Sequence, residues 1–204
     1  MAGSALFERY WDSKWNSWLV NLRQGDYLVS DEPILMTTVL GSCVSACVFD
    51  PVAKVGGMNH FLLPDEGTSE PLTGSYRYGV HAMEILVNTL LKKGADQQRL
   101  EVKVCGAADV ISAFTHKVGA CNEVFIRRYL KTEHLNLTAE DLGGLSPRRI
   151  MFNPQDGRLR VKKLHNPLTP DTVTAEQRRA QSLKHTSERS ADIELFDIGP
   201  GDTQ

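Results

Sequence analysis

The spacing of apolar residues changes character several times along the chain. In the first segment Phe7, Trp11, Trp15, Trp18 and Leu22 fall on one helical face, with Glu8, Asp12, Lys14 and Asn16 mostly elsewhere. That period predicts an amphipathic helix within residues 1–25, packed on the body of the protein. From Asp26 short β-rich runs take over, at residues 27–29, 34–40, 44–49 and 55–63, interrupted by Asp50-Pro51 and stopped at Pro64. Residues 65–75, rich in Gly, Ser, Thr, Glu and Pro, read as a solvated loop. Residues 78–93 carry Ala82, Ile85, Leu86, Thr89 and Leu90 at helical spacing and end on Lys92-Lys93-Gly94, a basic last turn with a capping glycine. A strand at 100–105, a helical turn or two at 109–114 and a second long helix at 120–131 follow, then a strand pair, 149–153 and 158–164, about Asp156-Gly157. Beyond His165 the chain is polar and rich in Pro, Thr and Ser, so residues 166–204 read as a tail. The pattern gives a single α-β domain over residues 26–165, without internal repeats.

Composition narrows the function classes. Of 204 residues 41% are hydrophobic and 24% charged, which suits a soluble globular protein. A net charge of -2 supplies no field for gripping polyanions, so neither nucleic acid nor anionic lipid is an expected partner. No apolar run reaches the roughly 18 residues of a membrane span, and the N-terminus lacks a secretory signal pattern, so no membrane insertion and a cytoplasmic location are expected. Four cysteines, Cys43, Cys47, Cys105 and Cys121, are too few for a disulfide scaffold and read as thiols.

Two of the β runs carry candidate chemistry. With Asp50-Pro51-Val52-Ala53 as a β-turn, the flanking strands pair antiparallel and set Cys43 directly opposite His60. Directly opposed side chains share a face with Cβ atoms about 4.5 to 5.5 Å apart, and a one-residue slip would separate them. An imidazole beside a thiol favours the thiolate and can later activate water. Gly41 lets a substrate carbonyl approach the backbone, and N–H groups around Ser42 and Cys43 could hold an oxyanion. The same residues also fit a plainer reading, Cys43 as a core residue heading an apolar strand and His60 as a satisfied structural histidine. Cys47 reads as a packing residue within its strand, and Cys105 and Cys121 as core or near-core thiols. Cys43, Cys47 and His60 lack a convincing fourth metal ligand, and Gly56-Gly57 lacks the context of a phosphate loop, so neither metal nor cofactor is expected. Arg127-Arg128 and Arg148-Arg149 read as solvated pairs, available to an acidic surface.

Leu40-Gly41-Ser42-Cys43, followed by the run from Gly57 through Met58, Asn59, His60, Phe61, Leu62 and Leu63 to Pro64, resembles the CheD family of chemoreceptor glutamine deamidases. Arg77-Tyr78-Gly79, Ala82-Met83-Glu84, Lys103-Val104, Gly106-Ala107, Asn122, Gly143-Gly144, Arg149 and Gly157 resemble further landmarks in the same order. The resemblance implies a layered α/β sandwich built on mixed or antiparallel sheets with two long helices. It implies hydrolysis of glutamine side chains on methyl-accepting chemotaxis receptors through a cysteine thioester, by a Cys-His-Thr constellation. Carried over by position, these are Cys43, His60 and Thr37, the threonine six residues before the cysteine, with Thr38 an adjacent competitor. Cys105-Gly106-Ala107, Cys121 and Pro147-Arg148-Arg149 depart from the family pattern, and such loops bear on the surface by which some members bind the phosphatase CheC. The alternative class is a non-catalytic adaptor for receptors or for a CheC-type phosphatase; an intact thiol and imidazole favour the enzyme.

Overall fold

The structure, a computed structural model, describes residues 7–63, 74–110 and 118–164. Among the described residues, ten strands form two five-stranded sheets. The first holds, in spatial order, β1 (Arg9–Asp12), β2 (Ser17–Asn21), β4 (Ile34–Leu40), β9 (Arg148–Phe152) and β10 (Leu159–Lys163). The second holds β3 (Tyr27–Ser30), β6 (Val55–Asn59), β5 (Val44–Asp50), β7 (Glu101–Gly106) and β8 (Asn136–Leu142). Pairing is antiparallel except for β2 with β4 and β7 with β8. Helices α1 (Gly74–Lys92) and α2 (Val118–Thr132) cover the outer face of the second sheet, completing a sheet-sheet-helix sandwich.

Alternation along the strands divides the core in two. Val44, Ala46 and Val48 of β5 point toward the helices, where they meet Met83, Leu86 and Leu90 of α1 and Phe125 and Ile126 of α2. Cys43, Cys47 and Phe49 point the other way, into the space between the sheets, with Met36, Leu40, Ile150 and Phe152. Both β5 and β6 are therefore buried on both faces, which explains their almost unbroken apolar sequence.

The N-terminal helix expected within residues 1–25 is instead the β1–β2 hairpin. Asp12 Oδ1 accepts from the backbone N–H of Lys14 and Trp15, and Asn16 adopts the left-handed conformation that closes the turn. Trp11 and Trp18 face each other across the pair, their rings meeting edge to face at 5.6 Å. The tryptophan stripe stays exposed, whereas Val20 and Leu22 enter the core. A short segment rich in Trp, Tyr and Val satisfied a helical period by chance, and turn chemistry with cross-strand pairing decided the outcome. Strand β8 had no counterpart in the sequence reading, because its outward positions are polar and its apolar residues are few. The expected helical turn at 109–114 and loop at 65–75 fall largely, and the tail at 166–204 wholly, outside the described residues.

The turn joining β5 to β6 is wider than expected. Asp50 pairs with Val55, Lys54 N–H returns to Asp50 O at 2.9 Å, and Lys54 adopts a positive φ. Fully buried Asp50 is what fixes it. Its carboxylate accepts from the N–H groups of Val52, Ala53 and Asp96 and from the Arg99 guanidinium. Burial alone would raise its pKa, but the Arg99 contact and these backbone donors hold it well below the usual carboxylate range. Because the folded-state value is depressed, this stabilisation is present above the ordinary carboxylate pKa and is lost as pH falls toward the folded value. Asp50→Ala should cost about 3 kcal/mol, the scale of stripping a buried acceptor from several donors, read from the urea midpoint at neutral pH, and most of that difference should vanish in strong acid.

Candidate active site

The site forms where the chain crosses between the sheets twice at one end of the sandwich. Parallel neighbours β2 and β4 both belong to the first sheet, and both lead into strands of the second, through residues 22–26 and 41–43 respectively. The second crossing carries Cys43. Its carbonyls are clamped on one side: Gly41 O accepts from Ala108 N–H at 2.9 Å, Ser42 O from Asn122 Nδ2 at 3.1 Å, and Cys43 O from Ala107 N–H at 2.7 Å. In trans peptides those anchors turn the N–H groups of Ser42 and Cys43 in the opposite direction. Gly106 is required here, since a Cβ would lie 2.1 Å from Cys43 O and the residue has a φ of 119°.

His60 follows β6 directly. Val44 pairs with Phe61, so the register differs by two residues from the direct Cys43–His60 opposition expected from a two-residue turn. A shift of two preserves the face. Cys43 and His60 therefore lie diagonally on the same side of the β5–β6 ladder, toward the first sheet. His60 N–H donates to Asp26 O at 2.9 Å and its carbonyl accepts from Gly25 N–H at 2.7 Å, so the first crossing pins its backbone.

The hydroxyl that meets the imidazole belongs to Thr38. Its Oγ1 lies 2.9 Å from His60 Nδ1 and donates to Leu22 O at 2.7 Å. Having given its one proton to that carbonyl, the hydroxyl can only accept from Nδ1–H. Leu22 O, 3.4 Å from the same nitrogen, is likewise only an acceptor. Two acceptors at Nδ1 thus favour the tautomer with its proton on Nδ1. Thr37, preferred from its distance to the cysteine, points to the other face of β4 and donates to Ile150 O at 2.8 Å. The positional carry-over therefore points to Thr37, whereas the hydroxyl in contact with His60 is that of its adjacent competitor, Thr38. Thr38→Val should lower turnover on the order of 10-fold by loosening the imidazole, consistent with the loss of an orienting hydrogen bond. Thr37→Val should instead cost about 1 kcal/mol of stability with kcat retained.

The four thiols are not equivalent. Burial pushes the Cys47 thiol far above its ordinary value. Burial, with Asp141 nearby, pushes Cys105 up to about 11, so both remain protonated and inert at neutral pH. Cys121, expected to be at or near the core, is exposed on α2. Cys43 is buried on the inter-sheet side that His60 also faces. No group of His, Cys, Asp and Glu among the described residues could hold a metal ion.

Three residues without an assigned role from sequence complete the surroundings. Fully buried Asn122 donates to Ser42 O and Val118 O and accepts from Leu63 N–H, tying α2 to both segments that carry the site. Tyr78 of α1 titrates above its ordinary value because of burial and, secondarily, the Cys43 charge. Gln24 Oε1 lies 4.0 Å from Cys43 Sγ. Arg148, expected to be solvated, is buried on Asp141, Gly143 O and Ser146 O, whereas Arg149 is exposed. Arg127 is engaged by Glu123 and Glu140.

A thiol and an oriented imidazole at the end of a two-sheet sandwich define a site suited to acyl transfer through a covalent cysteine intermediate. The family model for CheD chemotactic sensory transduction matches residues 62–163. The chain is 44% identical over 190 residues to a protein of Janthinobacterium sp. (strain Marseille), covering 92% of this chain and 93% of the relative. It is 40% identical over 191 residues to one of Methylobacillus flagellatus, covering 92% and 94%, and 43% identical over 191 residues to one of Xanthomonas campestris pv. campestris (strain B100), covering 93% and 94%. All three relatives bear the name probable chemoreceptor glutamine deamidase CheD. This chain belongs to the CheD family.

Proposed function

We propose that this protein hydrolyses the side-chain amides of specific glutamines on methyl-accepting chemotaxis receptors to carboxylates, releasing ammonia. The observation that carries the reading is the His60 imidazole, its Nδ1 proton fixed by Thr38, on the same inter-sheet face as Cys43, in a chain so similar along its length to proteins named for that activity.

In this reading His60 Nε2 takes the thiol proton as Cys43 Sγ attacks the glutamine δ-carbon. The N–H groups of Ser42 and Cys43, turned away from the clamped carbonyls, stabilise the oxyanion, with Gly41 leaving room for the amide. Collapse breaks the C–N bond, and the imidazolium gives its proton to the departing ammonia, leaving a thioester. His60 then takes a proton from water, hydroxide displaces the thiolate, and the proton returns to sulfur. The sum is glutamine plus water giving glutamate plus ammonia. Thr38 is a positioning residue. Each turnover adds one negative charge to the receptor surface.

Incubating the folded protein with a receptor cytoplasmic fragment should replace amide NH2 by OH at particular glutamines, read as the corresponding mass gain in peptides. A folded protein that produces no such gain would reject the reading.

A further inference from the structure

One side chain that approaches the Cys43 sulfur is itself a glutamine. Gln24 brings its carboxamide oxygen to 4.0 Å from Cys43 Sγ, in the sense of the thiol donating to the amide. Its backbone is held on both sides. Leu22 N–H donates to Thr37 O and Leu22 O accepts from Thr38, while Arg23 N–H and Asp26 Oδ2, with Asp26 N–H and Arg23 O, close a tight turn around Gln24 and Gly25. Gly25 has a φ of 91° and donates to His60 O. The Tyr78 hydroxyl lies 3.9 Å from where a Gly25 Cβ would stand, on the same flank as Cys43. The turn is thus fastened to the strands bearing Thr38 and His60, and its side chain is aimed at the sulfur. Cys43 is only 3% exposed, with Gln24 half-buried beside it. A receptor glutamine amide brought to Cys43 Sγ has to compete with the Gln24 carboxamide for the space next to the sulfur.

We infer that the Gln24 carboxamide occupies the amide subsite of the free protein as a tethered substrate analogue, which a receptor glutamine must displace to bind. The inference rests on the glutamine-deamidase reading above. The side chain has the same two methylenes and primary amide as the substrate, so whatever accommodates one accommodates the other. A tethered competitor lowers apparent affinity by the fraction of molecules in which the subsite is open, and it leaves the chemistry of an open site unaltered. Gln24 is therefore a determinant of KM rather than of the bond-making step. Arg23 and Gly25, on either side of Gln24, are exposed, so a docked receptor helix could reach and lift the turn.

The test compares wild type with Gln24→Ala in two assays. In the first, iodoacetamide, a small primary amide with an electrophilic carbon, labels the native proteins, and Lys-specific digestion followed by fragmentation resolves Cys43 from Cys47 within the peptide of residues 15–54. Cys43 labelling should accelerate about ten-fold if the open state is about a tenth of the wild-type population. Cys47, buried and inert, should stay unlabelled in both, which certifies that the variant is folded. In the second, KM for a receptor fragment should fall by a similar factor while kcat changes much less. Equal Cys43 labelling, or an unchanged KM, overturns the inference. Wild-type turnover in the same series separates the two failures: turnover with unchanged labelling and KM removes the role of Gln24 alone, and no turnover removes the substrate assignment on which it rests.

Discussion

Cys43→Ala is expected to abolish receptor deamidation, lowering turnover by about 10⁴-fold or more, the scale on which removing a covalent nucleophile disables enzymes of this mechanistic type. No other thiol can replace it. Cys47 shares the inter-sheet face but is held protonated by burial, and Cys105 titrates near 11. Cys121 is on the surface of α2. The substitution removes one sulfur from the core while leaving the backbone clamps of residues 41–43 in place, so thermal unfolding should remain cooperative and the loss will be one of chemistry. The measurement is the rate of NH2-to-OH conversion in receptor peptides, with the urea midpoint as a control for folding.

His60→Ala should lower the same rate by about 10² to 10⁴-fold, the usual worth of a positioned acid-base group. In the proposed mechanism the imidazole carries the thiol proton to ammonia and draws a proton from water for thioester hydrolysis, so its loss should slow both steps. The backbone of residue 60 remains bonded to Gly25 and Asp26 whatever its side chain, so the crossing that shapes the site should survive. Turnover by His60→Ala within a few-fold of wild type would mean that the imidazole is structural and that another group moves the proton.

Much of this organisation was readable before any coordinates. The β-rich apolar runs from Ile34 to Leu40 and from Val44 to Asp50, and the 3.6-residue period of Ile85, Leu86 and Leu90, are signals that burial enforces, and strands and a helix form over them, the helix starting four residues earlier than its apolar period. The face shared by Cys43 and His60 was readable for the same reason, and it survives a turn wider than the Asp50-Pro51 signal suggested because the register moved by an even number. What the sequence concealed depends on long-range partners. Nothing local says that Trp11 will pair with Trp18 rather than stack along a helix, or that β4 and β5 belong to different sheets. With β4 in the first sheet, it is Thr38 rather than Thr37 whose hydroxyl meets His60. Gln24 and Asn122 were silent as site residues because their contacts with the Cys43 segment, at separations of 19 and 80 residues, exist only once the sandwich has closed.

In the proposed mechanism Cys43 carries the receptor's glutamyl group as a thioester. Mixing the protein with a receptor fragment, stopping the reaction in acid and mapping the digested peptides tests it directly. The peptide of residues 15–54 should gain the mass of a receptor glutamine peptide less ammonia, with the attachment on Cys43 and none formed by Cys43→Ala. Deamidation that continues in Cys43→Ala, or an acyl group found on Cys47, Cys105 or Cys121 instead, would contradict it.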